Sequence, residues 1–180
     1  LAISSAASDV YKRQAVSGGF DLSTDSGFYI GTWGSSVQFG DAATSDLTEM
    51  ELDVYLGYST DIADNITLDV GYITYTYPGA TSSNFDEAYI GFDIYGFGIS
   101  YASGMDEAPD YAQVSYAVDA GPGSFSVSYG DYEDISNDFL VGYDWSVGGD
   151  FGIGLFYYNL ETEDGTMDDS GVTLTLSYAP

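Results

Sequence analysis

The sequence of 180 residues contains no cysteine and no histidine, and its two basic residues are Lys12 and Arg13. Each absence removes a class of function. Without cysteine there is no disulfide framework and no thiolate metal site. Without histidine the Ser-His-Asp and Cys-His nucleophilic systems and His-ligated zinc are out of reach. The absence of lysine and arginine past residue 13 rules against nucleic acid and anionic lipid headgroups as direct partners, and removes most salt bridges as a source of stability. Proline is scarce, at four. No run of 18 apolar residues exists to form a transmembrane helix, and helical periodicity is absent throughout.

What remains is acidic, aromatic and glycine-rich. The formal net charge is −27, and of the 29 acidic residues all but Asp9 lie beyond residue 14. Acidity of this order suits halophilic or marine proteins, where salt screens self-repulsion. It does not indicate disorder, which requires few aromatics; here aromatics reach 17%, with 18 tyrosines beside 23 glycines. Residues 1–14 stand apart from this pattern. Ser4-Ser5-Ala6-Ala7-Ser8-Asp9-Val10-Tyr11-Lys12-Arg13-Gln14 matches the in-frame translation of a transposase-type sequencing adapter. The native sequence is therefore expected to begin near Ala15, with the 5′ end of the gene lost, and 15–180 is read as one domain.

Asp46–Gly79 is the most regular stretch. Met50, Leu52, Val54, Leu56 and Tyr58 fall on one face of an extended strand, and Glu49, Glu51, Asp53, Tyr55 and Gly57 on the other. After Thr60–Asn65, Ile66, Leu68, Val70 and Tyr72 alternate with Thr67, Asp69 and Gly71. Period 2 over such lengths requires strands, and arms this long suit tilted strands crossing a bilayer. Eleven strands are predicted, at about 15–23, 28–40, 46–59, 66–77, 85–95, 97–103, 111–119, 124–131, 138–147, 151–160 and 171–178. Segment 28–40 is apolar on both faces, and a bulge near Gly31 or Gly34 is expected there. Connections alternate short and long, the longest being Glu161–Ser170. That pattern predicts an all-β, antiparallel up-and-down transmembrane β-barrel. The even strand number of bacterial barrels predicts about 12 strands in the intact protein, 11 of them present here. A soluble β-sandwich is the competing architecture.

Several segments carry a family likeness. Gly18-Gly19-Phe20-Asp21-Leu22-Ser23 with Ser26–Ser35, Asp53-Val54-Tyr55-Leu56-Gly57-Tyr58, Asp69-Val70-Gly71-Tyr72, Tyr75-Thr76-Tyr77-Pro78-Gly79 and Asn84–Gly91 resemble the TorF-type porin family of proteobacteria, conserved proteins of unknown function. The match is specific over about Gly18–Phe92. The resemblance implies a Gram-negative outer-membrane barrel with porin activity, with one further hairpin arm before Gly18, and it transfers no catalytic or binding residue. The chain departs from the family in having no lysine or arginine after the adapter, and in ending Leu176-Ser177-Tyr178-Ala179-Pro180 without a terminal aromatic.

Three groups of candidate residues follow. Inward acids, namely Asp21, Glu49, Glu51, Asp53, Asp69, Glu87, Asp93, Asp119 and Asp144, would line a cation-attracting lumen, with Tyr55, Tyr89, Phe156 and Tyr158 available to plug it. Tyr72, Tyr75, Tyr77, Tyr143, Trp145, Tyr157 and Tyr158 are expected to form an interfacial aromatic girdle. The loop acids Glu161, Glu163, Asp164, Asp168 and Asp169 could bind Ca²⁺ or Mg²⁺ through oxygen, but they fail the EF-hand spacing, and a solvated loop is the plainer reading. No cofactor and no enzymatic activity are expected. The sequence therefore predicts a passive, cation-preferring porin of the bacterial outer membrane, in contact with lipid and lipopolysaccharide and carrying small cations or solutes. A closed structural or adhesive barrel, and a secreted soluble acidic β-sandwich or calcium-binding module, are the alternatives.

Overall fold

The computed structural model describes residues 16–41, 46–105, 108–166 and 168–178; the adapter-like segment lies outside them. Alternating apolar and polar residues, interrupted only at turns, give strands almost everywhere. They are β1 Ser17–Ser23, β2 Phe28–Asp41, β3 Asp46–Ala63, β4 Ile66–Thr76, β5 Phe85–Ile94, β6 Phe97–Gly104, β7 Tyr111–Ala120, β8 Gly123–Tyr132, β9 Ser136–Gly148, β10 Phe151–Thr162 and β11 Asp169–Tyr178. A short 3-10 turn, Thr81–Ser83, is the one helical element among the described residues. The strands form one sheet in sequence order from β1 to β11, and among the described residues it is not closed. Among the described residues no helix is long and apolar enough to cross a membrane.

The eleven strands agree with the predicted set, with three local differences. β3 continues to Ala63, through residues expected as a turn, and absorbs the extra length in a register shift between Asp61 and Ala63. The reversal is then confined to Asp64-Asn65, where Asn65 takes a φ of 56°, a conformation asparagine tolerates better than most residues. The irregularity in β2 falls between Ser36 and Phe39, not near Gly31 or Gly34. The acidic loop shortens, because β10 reaches Thr162 and β11 begins at Asp169.

The chain divides into two compact units. One runs to Ile90 and includes Ala102–Ala108. Within it, β1–β2, β2–β3 and β3–β4 pair antiparallel. Register sets Leu56 beside Tyr72 and Ile30, and Asp53 beside Trp33 and Tyr75. Phe20, Leu22, Phe28, Ile30, Met50, Leu52, Val54 and Leu56 are all exposed. The opposite face is where the unit is buried: Val37, Ile73, Tyr75, Tyr77 and Ala80 form a cluster joined by Tyr55, Phe85 and Tyr89. Ala80 belongs to the β4–β5 connection, which turns back over this face. Thr48 Oγ1 donates to the Pro78 carbonyl at 3.0 Å, and Tyr77 N donates to Asn84 Oδ1 at 2.8 Å.

The second unit comprises Gly91–Tyr101 and the chain from Pro109 onward. β7 through β11 pair successively as antiparallel neighbours. Phe97, Ile99, Val114, Val118, Phe125, Tyr129, Phe139, Leu155, Tyr157, Val172, Leu174 and Leu176 are exposed. On the other face the Tyr111 and Tyr132 rings lie 4.2 Å apart, and Tyr111 donates to Asp138 Oδ2 at 3.0 Å.

Candidate functional site

The alternation that exposes the apolar side chains of β3 turns its acids the other way. Glu51 and Asp53, two residues apart on one face, are 5% and 4% exposed, and Glu87 of β5 is 3% exposed. Glu51 and Glu87 both act on Asp53 by charge repulsion. Two phenols serve the cluster. Tyr77 donates to Glu51 Oε2 at 2.7 Å, and Tyr75 donates to Glu87 Oε2 at 3.2 Å. Their rings are held by Phe85, 4.4 Å from Tyr75 and 6.4 Å from Tyr77 between centroids. The buried Asp53 Oδ1 has no hydrogen-bond partner among the described residues.

Phenol-to-carboxylate bonds recur along the same face. Tyr29 donates to Asp69 Oδ1 at 2.7 Å and lies 2.5 Å, oxygen to oxygen, from the Tyr89 phenol. Tyr55 donates to Asp21. In the second unit the same role falls to Tyr111 with Asp138, Tyr101 with Asp110, and Tyr158 with Asp169 at 2.9 Å. Elsewhere arginine would satisfy such carboxylates bidentately; in a chain whose only basic residues are Lys12 and Arg13, tyrosine supplies the donors.

The predicted site residues sort as follows. Glu51, Asp53 and Glu87 are brought together and buried, and Asp69 is tied to Tyr29. Glu49, Asp93, Asp119 and Asp144 are exposed and do not join the cluster. Asp93 instead accepts from Gly96 N at 3.1 Å and closes the β5–β6 turn. The girdle expectation needs correction at Tyr75, Tyr77 and Tyr158. The first two are 6% and 8% exposed and face the acids, and Tyr158 turns to Asp169. Tyr143 and Trp145 stand beside Leu155 and Ile153 in the β9–β10 register, with Tyr157 exposed on the same strand. Tyr72 is half-buried opposite Leu56. Asp138 and Asp110 were not singled out by sequence; Asp138 opens the predicted strand 138–147 with the parity of Asp144, so the period-2 pattern already placed it among the inward residues.

The acidic loop uses its oxygens internally. Asp164 Oδ1 accepts from the Thr166 hydroxyl at 2.7 Å and its N–H at 3.0 Å, which holds that carboxyl below the usual carboxylate range. Asp168 Oδ1 accepts from Thr162 N at 2.8 Å, and Glu161 Oε1 accepts from Asn159 at 3.0 Å. Among the described residues, no group of three or more acids is arranged to hold a metal ion.

The features together define a class: an all-β protein whose antiparallel sheet is apolar on its exposed face and carries acids and tyrosines on its buried one. The family model for Gcw_chp, described as a bacterial protein of unknown function, matches residues 6–121, and the chain belongs to this family. No curated protein and no solved structure matches the sequence.

Proposed function

We propose that this protein is a porin-like β-barrel of the bacterial outer membrane, passing small solutes or ions passively and preferring cations. The observation that carries the reading is the inverted polarity of the strands. Large apolar side chains are exposed on every strand from β1 to β11 except β4, whereas three of the acids are almost wholly buried. In water each large apolar side chain left exposed forgoes about 1.5–3 kcal/mol, and soluble monomers rarely show apolar patches beyond a few hundred Å². Against hydrocarbon the same face is matched to its solvent. Lipid and lipopolysaccharide are then the surroundings, and the inward acids repel anions and draw cations. The likeness of Gly18–Phe92 to TorF-type porins points the same way. Catalysis is not part of this reading.

The burial of Tyr75, Tyr77 and Ala80 beside the acids favours a second reading, a closed barrel with a structural or adhesive role. One experiment separates the two. Protein refolded in detergent should show heat-modifiable gel mobility, and in planar bilayers under a KCl gradient its reversal potential should have the sign of cation selectivity. Heat-modifiable protein without conductance would favour the closed barrel. Monomeric solubility without detergent would overturn both and favour a secreted acidic β-module.

A further inference from the structure

The buried face of the first unit is not covered evenly. Along β3 its residues pass from buried at Glu51 and Asp53, through half-buried at Tyr55, Gly57 and Ser59, to exposed at Asp61. Along β4 they pass from buried at Tyr75 and Ile73 to half-buried at Gly71, Asp69 and Thr67. The face is therefore open towards the Asp64-Asn65 turn and shut towards the β4–β5 connection, Tyr77–Asn84. One small residue of that connection is inserted. Ala80 is 1% exposed and packs in the cluster with Val37, Ile73, Tyr75 and Tyr77, whereas Pro78, Gly79, Thr81 and Ser82 on either side of it are exposed.

The connection is folded on itself by local bonds: Ala80 N donates to the Tyr77 carbonyl at 3.0 Å, and Tyr77 N donates to Asn84 Oδ1 at 2.8 Å. It is tied to β3 by Thr48, whose buried hydroxyl is shared between the Met50 carbonyl at 2.8 Å and the Pro78 carbonyl at 3.0 Å, and by the Tyr77 bond to Glu51. Covering the acids has a cost. Asp53 Oδ1 is buried without a hydrogen-bond partner among the described residues, and Glu51 and Glu87 repel its charge. Lifting the connection returns that oxygen to water, so the closed arrangement is opposed by the charge it covers. A small insert, a hydroxyl tie and a covered charge that favours release make a local two-state element. We propose that Tyr77–Asn84 is a releasable strap, closing the acid-lined face at this end and opening it when the tie to Thr48 is broken. What the strap controls rests on the passage proposed above; its release does not.

The chain has no cysteine, so one introduced thiol reports on the strap alone. In the detergent-refolded full chain, Ala80→Cys should react slowly but completely with a cationic methanethiosulfonate. Thr48→Val removes the tie to Pro78, and Asn84→Ala removes the acceptor for Tyr77 N. Added to Ala80→Cys, each should speed the reaction about two- to tenfold, the worth of one hydrogen bond. Thr67→Val, which breaks the 2.7 Å bond to Asp61 at the open end, should leave the rate unchanged. Val37→Cys, in the same cluster, serves as the reporter if Ala80→Cys does not refold. In planar bilayers, Thr48→Val and Asn84→Ala without the thiol should raise the open fraction by a similar factor. Equal labelling rates in all variants, or the same acceleration by Thr67→Val, would overturn the strap and leave any conductance of the parent standing. Faster labelling with no conductance in any variant would keep the strap and remove the passage. Faster labelling with an unmoved open fraction would overturn the strap's control of the passage.

Discussion

At the scale of single residues, the tyrosines matter most. A phenol bonded to a buried carboxylate is a charge-assisted donor, and removing it leaves the acid short of a partner it had. Tyr77→Phe, which breaks the 2.7 Å bond to Glu51, should therefore lower stability by about 1.5–3 kcal/mol. Tyr157→Phe, on the exposed face, should stay within about 0.5 kcal/mol of the parent. Urea titration in detergent measures both, and equal effects would show that the Glu51 bond contributes nothing special. Asp164 gives a pH dependence of known sign. Its folded pKa is depressed by the Thr166 hydroxyl and N–H, so its contribution is present above the ordinary carboxylate value and is lost as pH falls through the folded one. Amide exchange at Thr166 should accelerate below the carboxylate range, and Asp164→Asn should abolish that acid-side change. An unchanged exchange profile in the variant would refute the assignment.

At the scale of elements, strand spacing depends on what stands on the buried face. The Tyr89 phenol lies over Gly71 and the Tyr29 phenol over Gly57, so a Cβ at either glycine would overlap the ring. Gly71→Val should displace Tyr89, break its contact with Tyr29, and cost about 1–3 kcal/mol through overpacking. Gly18→Val, where a Cβ meets nothing within 4 Å, should be tolerated. The fraction refolded and the urea midpoint report the difference, and equal tolerance would argue against close packing at Gly71. The strands themselves were legible because period 2 is a local property. The misplaced girdle residues were legible too: counting by twos from Asp69 reaches Tyr75 and Tyr77, and from Phe156 reaches Tyr158. Aromatic character near strand ends outweighed parity, and parity was the better guide.

At the scale of the whole molecule, charge dominates. With a formal net charge of −27 and only two basic residues, self-repulsion opposes the folded state. Raising NaCl from about 0.1 M to about 1 M shortens the Debye length to about 3 Å and should raise the urea midpoint; a fall or no change would show that repulsion is not limiting. What the sequence determined by itself is local: eleven strands, the face each side chain takes, and the excluded chemistries. Each depends only on residue type and spacing. What the tertiary structure decided is which acids meet. Glu51, Asp53 and Glu87 come from β3 and β5, far apart in the chain, and share a buried site because β4 lies between those strands in the sheet order. Glu49 has the same parity as Glu51 and remains exposed. Spacing sets which side of a strand a residue takes, but burial depends on what the rest of the fold lays over that side.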